Sequence, residues 1–150
     1  MQGVRFPVMA ATLSILFFGS AVWANEKCDL AVGYLLEYQD EPEFGVSIHR
    51  CTHFWTLEFE KIRRYSASGQ PQWDVLDLLE VQKVASDEVI VSETCSIGGV
   101  EDKGIVAVAP QTDEDWFARI RVAWRADKEH GHWISVDAAT VKCWNEAAGL

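Results

Sequence analysis

Apolar and polar side chains alternate along the middle of the chain, which is typical of a β-strand with one buried face. Trp55, Leu57 and Phe59 alternate with polar residues. The apolar positions before Arg50, such as Ile48, follow the same alternation in the opposite phase. The phase therefore changes near Arg50, and we expect a bulge or a break between two strands there.

Shorter apolar runs separated by turn residues predict further strands. Residues 30–38 alternate with a period of two, although Leu30, Tyr34 and Tyr38 also fit one face of a helix; we favour the strand. Gly98-Gly99 predicts a hairpin turn, because glycine adopts the required backbone conformation without strain. The other predicted strands cover residues 75–84, 88–97, 105–109 and 140–144.

The segment after Pro110 has the pattern of an amphipathic helix. Thr112 is placed to cap its first turn, acidic residues follow directly, and basic residues come later, as the helix dipole favours. One face of the helix would be apolar and would carry Trp116, Ile120, Ala123 and Trp124. We therefore expect an α+β domain in which one long helix, over about residues 112–127, packs on a mostly antiparallel sheet.

The N-terminal segment differs in composition from the rest of the chain. Residues 1–24 contain a single charged residue, Arg5, then an apolar run and a small-residue ending at Ala24, which is the layout of a cleaved signal peptide. A retained membrane anchor is the alternative, since the apolar stretch approaches the length of a spanning helix. We expect residues 25–150 to form a single periplasmic or secreted domain that is not attached to a membrane after cleavage.

The charge balance narrows the class of partner. The chain has 13 basic and 23 acidic residues, a net charge of −10. This excess of carboxylates disfavours nucleic acid, because backbone phosphates attract lysine and arginine. A basic protein is the partner that the charge favours.

The cysteines predict two disulfide bonds. An even number of cysteines in an exported chain is typical of a disulfide framework, and four cysteines allow three pairings. We favour the local pairing, in which each half of the chain holds its own bridge. It joins Cys28 with Cys51 and Cys95 with Cys143.

The sequence contains no convincing catalytic or metal-binding motif. His49, Cys51 and His53 alternate as ligands on one strand face would, but Cys51 is expected in a disulfide. His130 and His132 flank a glycine in a polar turn, and we interpret them as turn residues. Because no nucleophile elbow or phosphate-binding loop occurs, we expect neither an enzyme nor a metal or other cofactor.

Two groups of residues are candidates for binding a partner. The first is an acidic loop around Pro42, and the second is a pair of tryptophans next to polar residues near turns, where an exposed indole can anchor a partner. These candidates are Glu37, Asp40, Glu41, Glu43, Trp133 and Trp144.

Three functions remain open. The first is a small acidic binding protein, in its sharper version an inhibitor or immunity protein that captures a basic partner. The second is a binding protein for a small apolar ligand, and the third is an enzyme with a dispersed carboxylate or histidine site. The surroundings of Trp133 and Trp144 separate the first two, because a flat exposed patch favours a protein partner and a cavity favours a small ligand.

Overall fold

The structure, a computed structural model, describes residues 27–37 and 42–148. Strands make up 60% of it, and no helix of seven or more residues occurs in this part of the chain. The only helical element described is a three-residue 3-10 turn, Ala138–Thr140. The fold is therefore nearly all β, and the prediction of an α+β domain with a long helix is wrong.

The described strands form three four-stranded sheets, and all of their pairings are antiparallel. The first sheet has the order β1-β2-β3-β4, the middle sheet β11-β10-β8-β5 and the third sheet β7-β6-β12-β9. The strands are β1 (Asp29–Leu35), β2 (Phe44–Arg50), β3 (Phe54–Tyr65), β4 (Pro71–Gln82), β5 (Glu88–Ser92), β6 (Cys95–Ile97), β7 (Val100–Glu101), β8 (Ile105–Pro110), β9 (Trp116–Phe117), β10 (Val122–Asp127), β11 (His132–Val136) and β12 (Val141–Trp144).

The phase change in the sequence marks a break between two strands, as predicted. β2 ends at Arg50 and β3 begins at Phe54, and the Cys51 N–H donates a hydrogen bond of 2.9 Å to the Phe54 carbonyl in the turn. The prediction of a strand after Leu30 is also confirmed by β1. Gly98 and Gly99, with φ of 58° and 85°, form the predicted two-residue turn between β6 and β7.

Two apolar clusters lie on opposite faces of the middle sheet. The first joins the first and middle sheets, and Leu57 and Phe59 of β3 meet Val106 and Val108 of β8 in it. The second joins the middle and third sheets, and its members include Ala123 and the side chains Ile105, Ala107, Ala109, Val141 and Cys143. The three sheets are therefore stacked, with the middle sheet buried on both sides.

Burial on both faces explains why part of the sequence resembles a helix. Along β10, Val122 and Trp124 pack against the first cluster, whereas Ala123 between them lies in the second. Apolar residues therefore occupy successive positions, and the period of two that marks a strand with one buried face is lost. The resulting spacing also fits a helical stripe, which the strand pairings of β10 with β8 and β11 overrule.

The start of the expected helix is held in a non-helical path by a residue far along the chain. The amide nitrogen Nδ2 of Asn145 donates hydrogen bonds to the carbonyls of Thr112 (2.9 Å) and Glu114 (3.0 Å). The backbone N–H of Asn145 donates to the Asp115 carbonyl at 2.8 Å. These carbonyls are thereby engaged by Asn145 rather than by the first turns of a helix, and Trp116 enters the short strand β9.

The predicted disulfide pairing is confirmed. Cys28–Cys51 joins the residue before β1 to the turn after β2, and Cys95–Cys143 crosses directly from β6 to β12. In the described ranges, no helix is long and apolar enough to cross a membrane. Disulfides and this observation are compatible with a secreted protein. The expected signal peptide, residues 1–24, lies outside the described residues.

Candidate functional site

The described carboxylates of the acidic loop contact their own chain. Glu37 accepts hydrogen bonds from the Glu43 N–H at 3.0 Å and from Nζ of Lys128 at 3.1 Å. Glu43 forms a longer ion pair with Lys61, at 3.9 Å. Burial would raise the pKa of Glu37, but these hydrogen bonds outweigh it and hold the pKa below its usual value. The other two candidates of this loop, at positions 40 and 41, lie outside the described residues.

Trp133 is a core residue. Its side chain is only 9% exposed and packs against Phe59, with ring centroids 6.0 Å apart. Its indole Nε1 donates to the Leu57 carbonyl at 3.2 Å, and its backbone N–H donates to Oδ2 of Asp77 at 2.8 Å. Trp133 therefore ties the middle sheet to the first sheet and presents little surface to a partner.

Trp144 lies on the outer face of the third sheet, beside a second tryptophan. Along β12, Val141 and Cys143 point into the core, whereas Trp144 points outwards and is 40% exposed. Its cross-strand partner on β9 is Trp116, which is 45% exposed. The two rings meet edge to face, with centroids 5.0 Å apart and an interplanar angle of 81°. This is a preferred geometry for an aromatic pair, so the two indoles form a defined corner at the surface.

The backbone on both sides of this tryptophan pair is fixed by hydrogen bonds. Thr94 donates from Oγ1 to the Trp144 carbonyl at 2.8 Å, and the Trp144 N–H donates to the Thr94 carbonyl at 2.9 Å. Asn145, which is 5% exposed, holds the segment that leads into Trp116 through the contacts described above. The pair is therefore positioned before any ligand arrives, which lowers the entropy cost of binding.

The tryptophan pair forms one wall of a groove of about 980 Å³, which we call the Trp116–Trp144 groove. Its volume lies at the upper end of the range for small-molecule sites, roughly 300–1,000 Å³. Hydroxyl side chains of Ser96 and Thr140 line it, and the Gly98-Gly99 turn borders it. The charged side chains around the groove are Glu93, Glu101, Lys103 and Lys142.

Glu93 enters the groove from an unusual backbone conformation. It is one of two residues other than glycine that have positive φ in the described chain, at 65°. A residue with a Cβ costs roughly 1–2 kcal/mol in this left-handed region, where glycine or asparagine is more common. A glutamate at this position supplies a carboxylate beside the groove, which a glycine would not.

The histidines do not form the metal site considered from the sequence. Cys51 is in a disulfide, His53 is exposed, and Nε2 of His49 lies 3.4 Å from Oε2 of Glu58. In the second candidate turn, Nδ1 of His130 hydrogen-bonds Oδ2 of Asp127 at 2.7 Å, and this contact lowers the pKa of Asp127. Across the described residues, no group of three or more histidine, cysteine, aspartate or glutamate side chains is arranged to hold a metal ion.

Sequence reasoning identified Trp144 but missed its neighbours. Trp116 was expected on the apolar face of a helix, packed against the sheet, yet it is one of the most exposed tryptophans described. The alternation along residues 141–144 indicates that Lys142 and Trp144 share a face. The same signal does not reveal that Trp116 lies opposite Trp144, because strand register between distant segments is not written in a local pattern.

Comparison of the chain with protein-family models, with curated proteins and with solved structures found no match. Function must therefore be argued from the geometry of the Trp116–Trp144 groove and its surroundings.

Proposed function

We propose that this protein is an exported binding protein that holds a small, partly polar ligand in the Trp116–Trp144 groove. The observation that carries this proposal is the pair of half-exposed indoles fixed at nearly a right angle in a concave surface. Isolated exposed apolar residues are common on proteins, but two adjacent indoles in a groove of this size are a typical binding feature.

The surroundings of the tryptophan pair add two further arguments. Thr94 bonds the backbone of Trp144, and Asn145 holds the segment that leads into Trp116, so the apolar wall is preorganised. Glu93 keeps a strained conformation at the groove, and strained residues concentrate at functional sites. A role in binding gives a reason for a glutamate at a position where asparagine or glycine would fold at lower cost.

Capture of a basic partner through the acidic loop has less support. Glu37 and Glu43 are already paired with Lys128 and Lys61, so binding a partner through them would break contacts within the protein. The charges around the Trp116–Trp144 groove, two carboxylates and two ammonium groups, also balance one another. An inhibitor or immunity role for a basic partner is therefore the alternative function.

The experiment is a binding screen monitored at the indole N–H groups by nuclear magnetic resonance. The probes are soluble representatives of four classes: neutral oligosaccharides, organic cations, carboxylates and short peptides. We expect at least one class to shift the Trp116 and Trp144 signals in a saturable manner. The Trp133 signal is an internal control, since its N–H is bonded to the Leu57 carbonyl inside the core.

The matched variants are Trp144→Ala and Tyr65→Ala. Both remove a partly exposed aromatic ring, but Tyr65, 49% exposed, lies at the end of β3 in the first sheet and does not line the groove. Trp144→Ala should weaken binding about tenfold, as loss of an anchoring indole does, whereas Tyr65→Ala should not change it. If no probe class shifts the two groove indoles, the proposed function is wrong.

A further inference from the structure

The Trp116–Trp144 groove has a mixed lining that restricts the class of ligand. Of its twelve lining residues, only Trp116, Ala118 and Trp144 have apolar side chains. A lipid or a hydrocarbon ligand would cover the polar groups of the walls without giving them hydrogen-bond partners, and such burial is costly. The ligand must therefore offer an apolar surface to the indoles and hydrogen-bonding groups to the remaining walls.

The charges of the groove argue against a strongly charged ligand. Glu93 and Glu101 are matched by Lys103 and Lys142 around one opening. A site for a phosphate or another anion would have an excess of positive charge, and a site for a polycation would have an excess of negative charge. Such balance is unusual on a chain with a net charge of −10, so net charge is not the basis of selection here.

The groups that can meet the ligand are suited to hydroxyls. Carboxylates accept hydrogen bonds and ammonium groups donate them. The hydroxyls of Ser96 and Thr140 donate to the carbonyls of Lys142 (3.3 Å) and Asp137 (2.7 Å), so toward a ligand they act as acceptors. A pyranose ring carries hydroxyl groups around its edge and C–H groups on its faces. Its C–H faces can pack on the indoles of Trp116 and Trp144 while its hydroxyls reach the polar walls.

From this combination we propose that the ligand is a neutral oligosaccharide, with one sugar ring packed on the tryptophan corner. The proposal rests on the binding function proposed above and names its ligand class. Cross-strand positions extend the surface beyond that corner, because Lys142 lies opposite Ser96, and Ser96 lies opposite Glu101. The groove therefore continues across several strands, which suits a chain of sugar rings better than a single one.

The test is a titration with neutral oligosaccharides of three to six β-linked hexose or N-acetylhexosamine units. We expect saturable shifts of the Trp116 and Trp144 indole signals, with the Trp133 signal unchanged. Binding should persist at high salt, because a neutral ligand is held without net charge attraction. Salt would instead weaken the binding of a charged ligand. Trp144→Ala should reduce affinity about tenfold, and Tyr65→Ala should leave it unchanged.

A second variant separates ligand contact from folding. Glu93→Asn removes the carboxylate but keeps a residue that tolerates positive φ, so the turn should form as before. We expect affinity for the oligosaccharide to fall several-fold while thermal stability is kept or rises. If the Glu93→Asn and Trp144→Ala proteins are folded and both bind the oligosaccharide with the affinity of the unchanged protein, the proposal is contradicted.

The outcomes distinguish failure of the ligand class from failure of the binding function. If cationic, anionic or peptide probes shift the groove indoles and neutral oligosaccharides do not, the ligand class is wrong and the binding function stands. If no probe of any class shifts them, both proposals are wrong. Oligosaccharide binding that moves other signals but not those of Trp116 and Trp144 would also overturn the assigned site.

Discussion

The two interiors of the stacked sheets are built from different side chains. In the cluster between the first and middle sheets, three aromatic rings are in contact. The ring centroid of Phe59 lies 5.6 Å from that of Phe44 and 6.0 Å from that of Trp133. The cluster between the middle and third sheets contains instead several fully buried small side chains and the Cys95–Cys143 disulfide. Its small members are Ala107, Ala109 and Ala123.

This difference indicates how each interior is stabilised. Large rings bury much apolar area and contribute mainly through removal of that area from water. Alanines bury far less, and the third sheet has strands of only two to four residues, so its own ladder is short. The Cys95–Cys143 disulfide and the hydrogen bonds of the buried Asn145 therefore compensate for the smaller apolar area and the short strands on this side.

The same contrast places the candidate site on the less strongly packed side. The Trp116–Trp144 groove is carried by the third sheet, whose strands have few backbone partners. The following predictions test this division of the molecule, in order of decreasing effect.

The largest effect is expected from Phe59→Ala in the first cluster. Phe59 is 0% exposed and contacts two other rings, so its loss should lower the free energy of unfolding by about 4–5 kcal/mol. The matched change is Phe117→Ala in the second cluster, where the side chain is 9% exposed on a two-residue strand. Its effect should be smaller in urea unfolding. An equal or greater loss for Phe117→Ala would contradict the division.

Removal of the disulfides should give the next effect. The Cys95–Cys143 bridge spans 48 residues and the Cys28–Cys51 bridge spans 23, so the chain-entropy model gives about 4 and about 3.4 kcal/mol for their removal. Paired Cys→Ala variants are compared by urea unfolding. Loss of the Cys95–Cys143 bridge should also shift the indole signals of Trp116 and Trp144, because Cys143 precedes Trp144 on β12.

If removal of Cys28–Cys51 disturbs those indole signals as strongly, the two interiors are not independent. The stacked sheets would then form one cooperative core rather than two differently stabilised halves.

A smaller effect is expected from pH, acting on the first interior. Glu37, in the loop after β1, pairs with Lys128 beside β10. Its lowered pKa means that the charged carboxylate is more favourable in the folded protein than in the unfolded chain. The resulting contribution to the free energy of unfolding is fully present above the usual glutamate pKa of 4.5. It is lost as the pH falls through the lower pKa of the folded state.

The measurement is the thermal midpoint between pH 7 and pH 3. Glu37→Gln should lower it slightly at pH 7 and make the acid loss shallower, because the neutral side chain no longer titrates. The exposed Glu146→Gln is the control and should leave the profile unchanged. A steeper acid loss in Glu37→Gln would mean that the contact with Lys128 does not stabilise the folded protein.

Sequence patterns were reliable where one face of a strand meets solvent. Trp55, Leu57 and Phe59 alternate with polar residues, and this alternation predicted β3 and the break before it. The Gly98-Gly99 turn followed from the backbone freedom of glycine, and the number of cysteines predicted two disulfides, of which the favoured local pairing is the one observed. Each of these features depends on neighbours in the sequence or on the chemistry of a single residue type.

The middle sheet shows where such patterns fail. β10 is buried on both faces, so Val122, Ala123 and Trp124 are successive apolar positions with no period of two. A strand of this kind has no local mark that separates it from a helix, and only its pairing with β8 and β11 decides.

The sequence by itself determined the strands with one exposed face, the glycine turn and the supply of cysteines, because each rests on local geometry or composition. The tertiary structure alone decided that residues 112–127 contribute the strands β9 and β10 instead of a helix, that Trp133 is buried and that Trp116 lies opposite Trp144. The physical reason is that cross-strand register and two-sided burial depend on hydrogen bonds and contacts between segments distant in the chain, which no local pattern of polarity encodes.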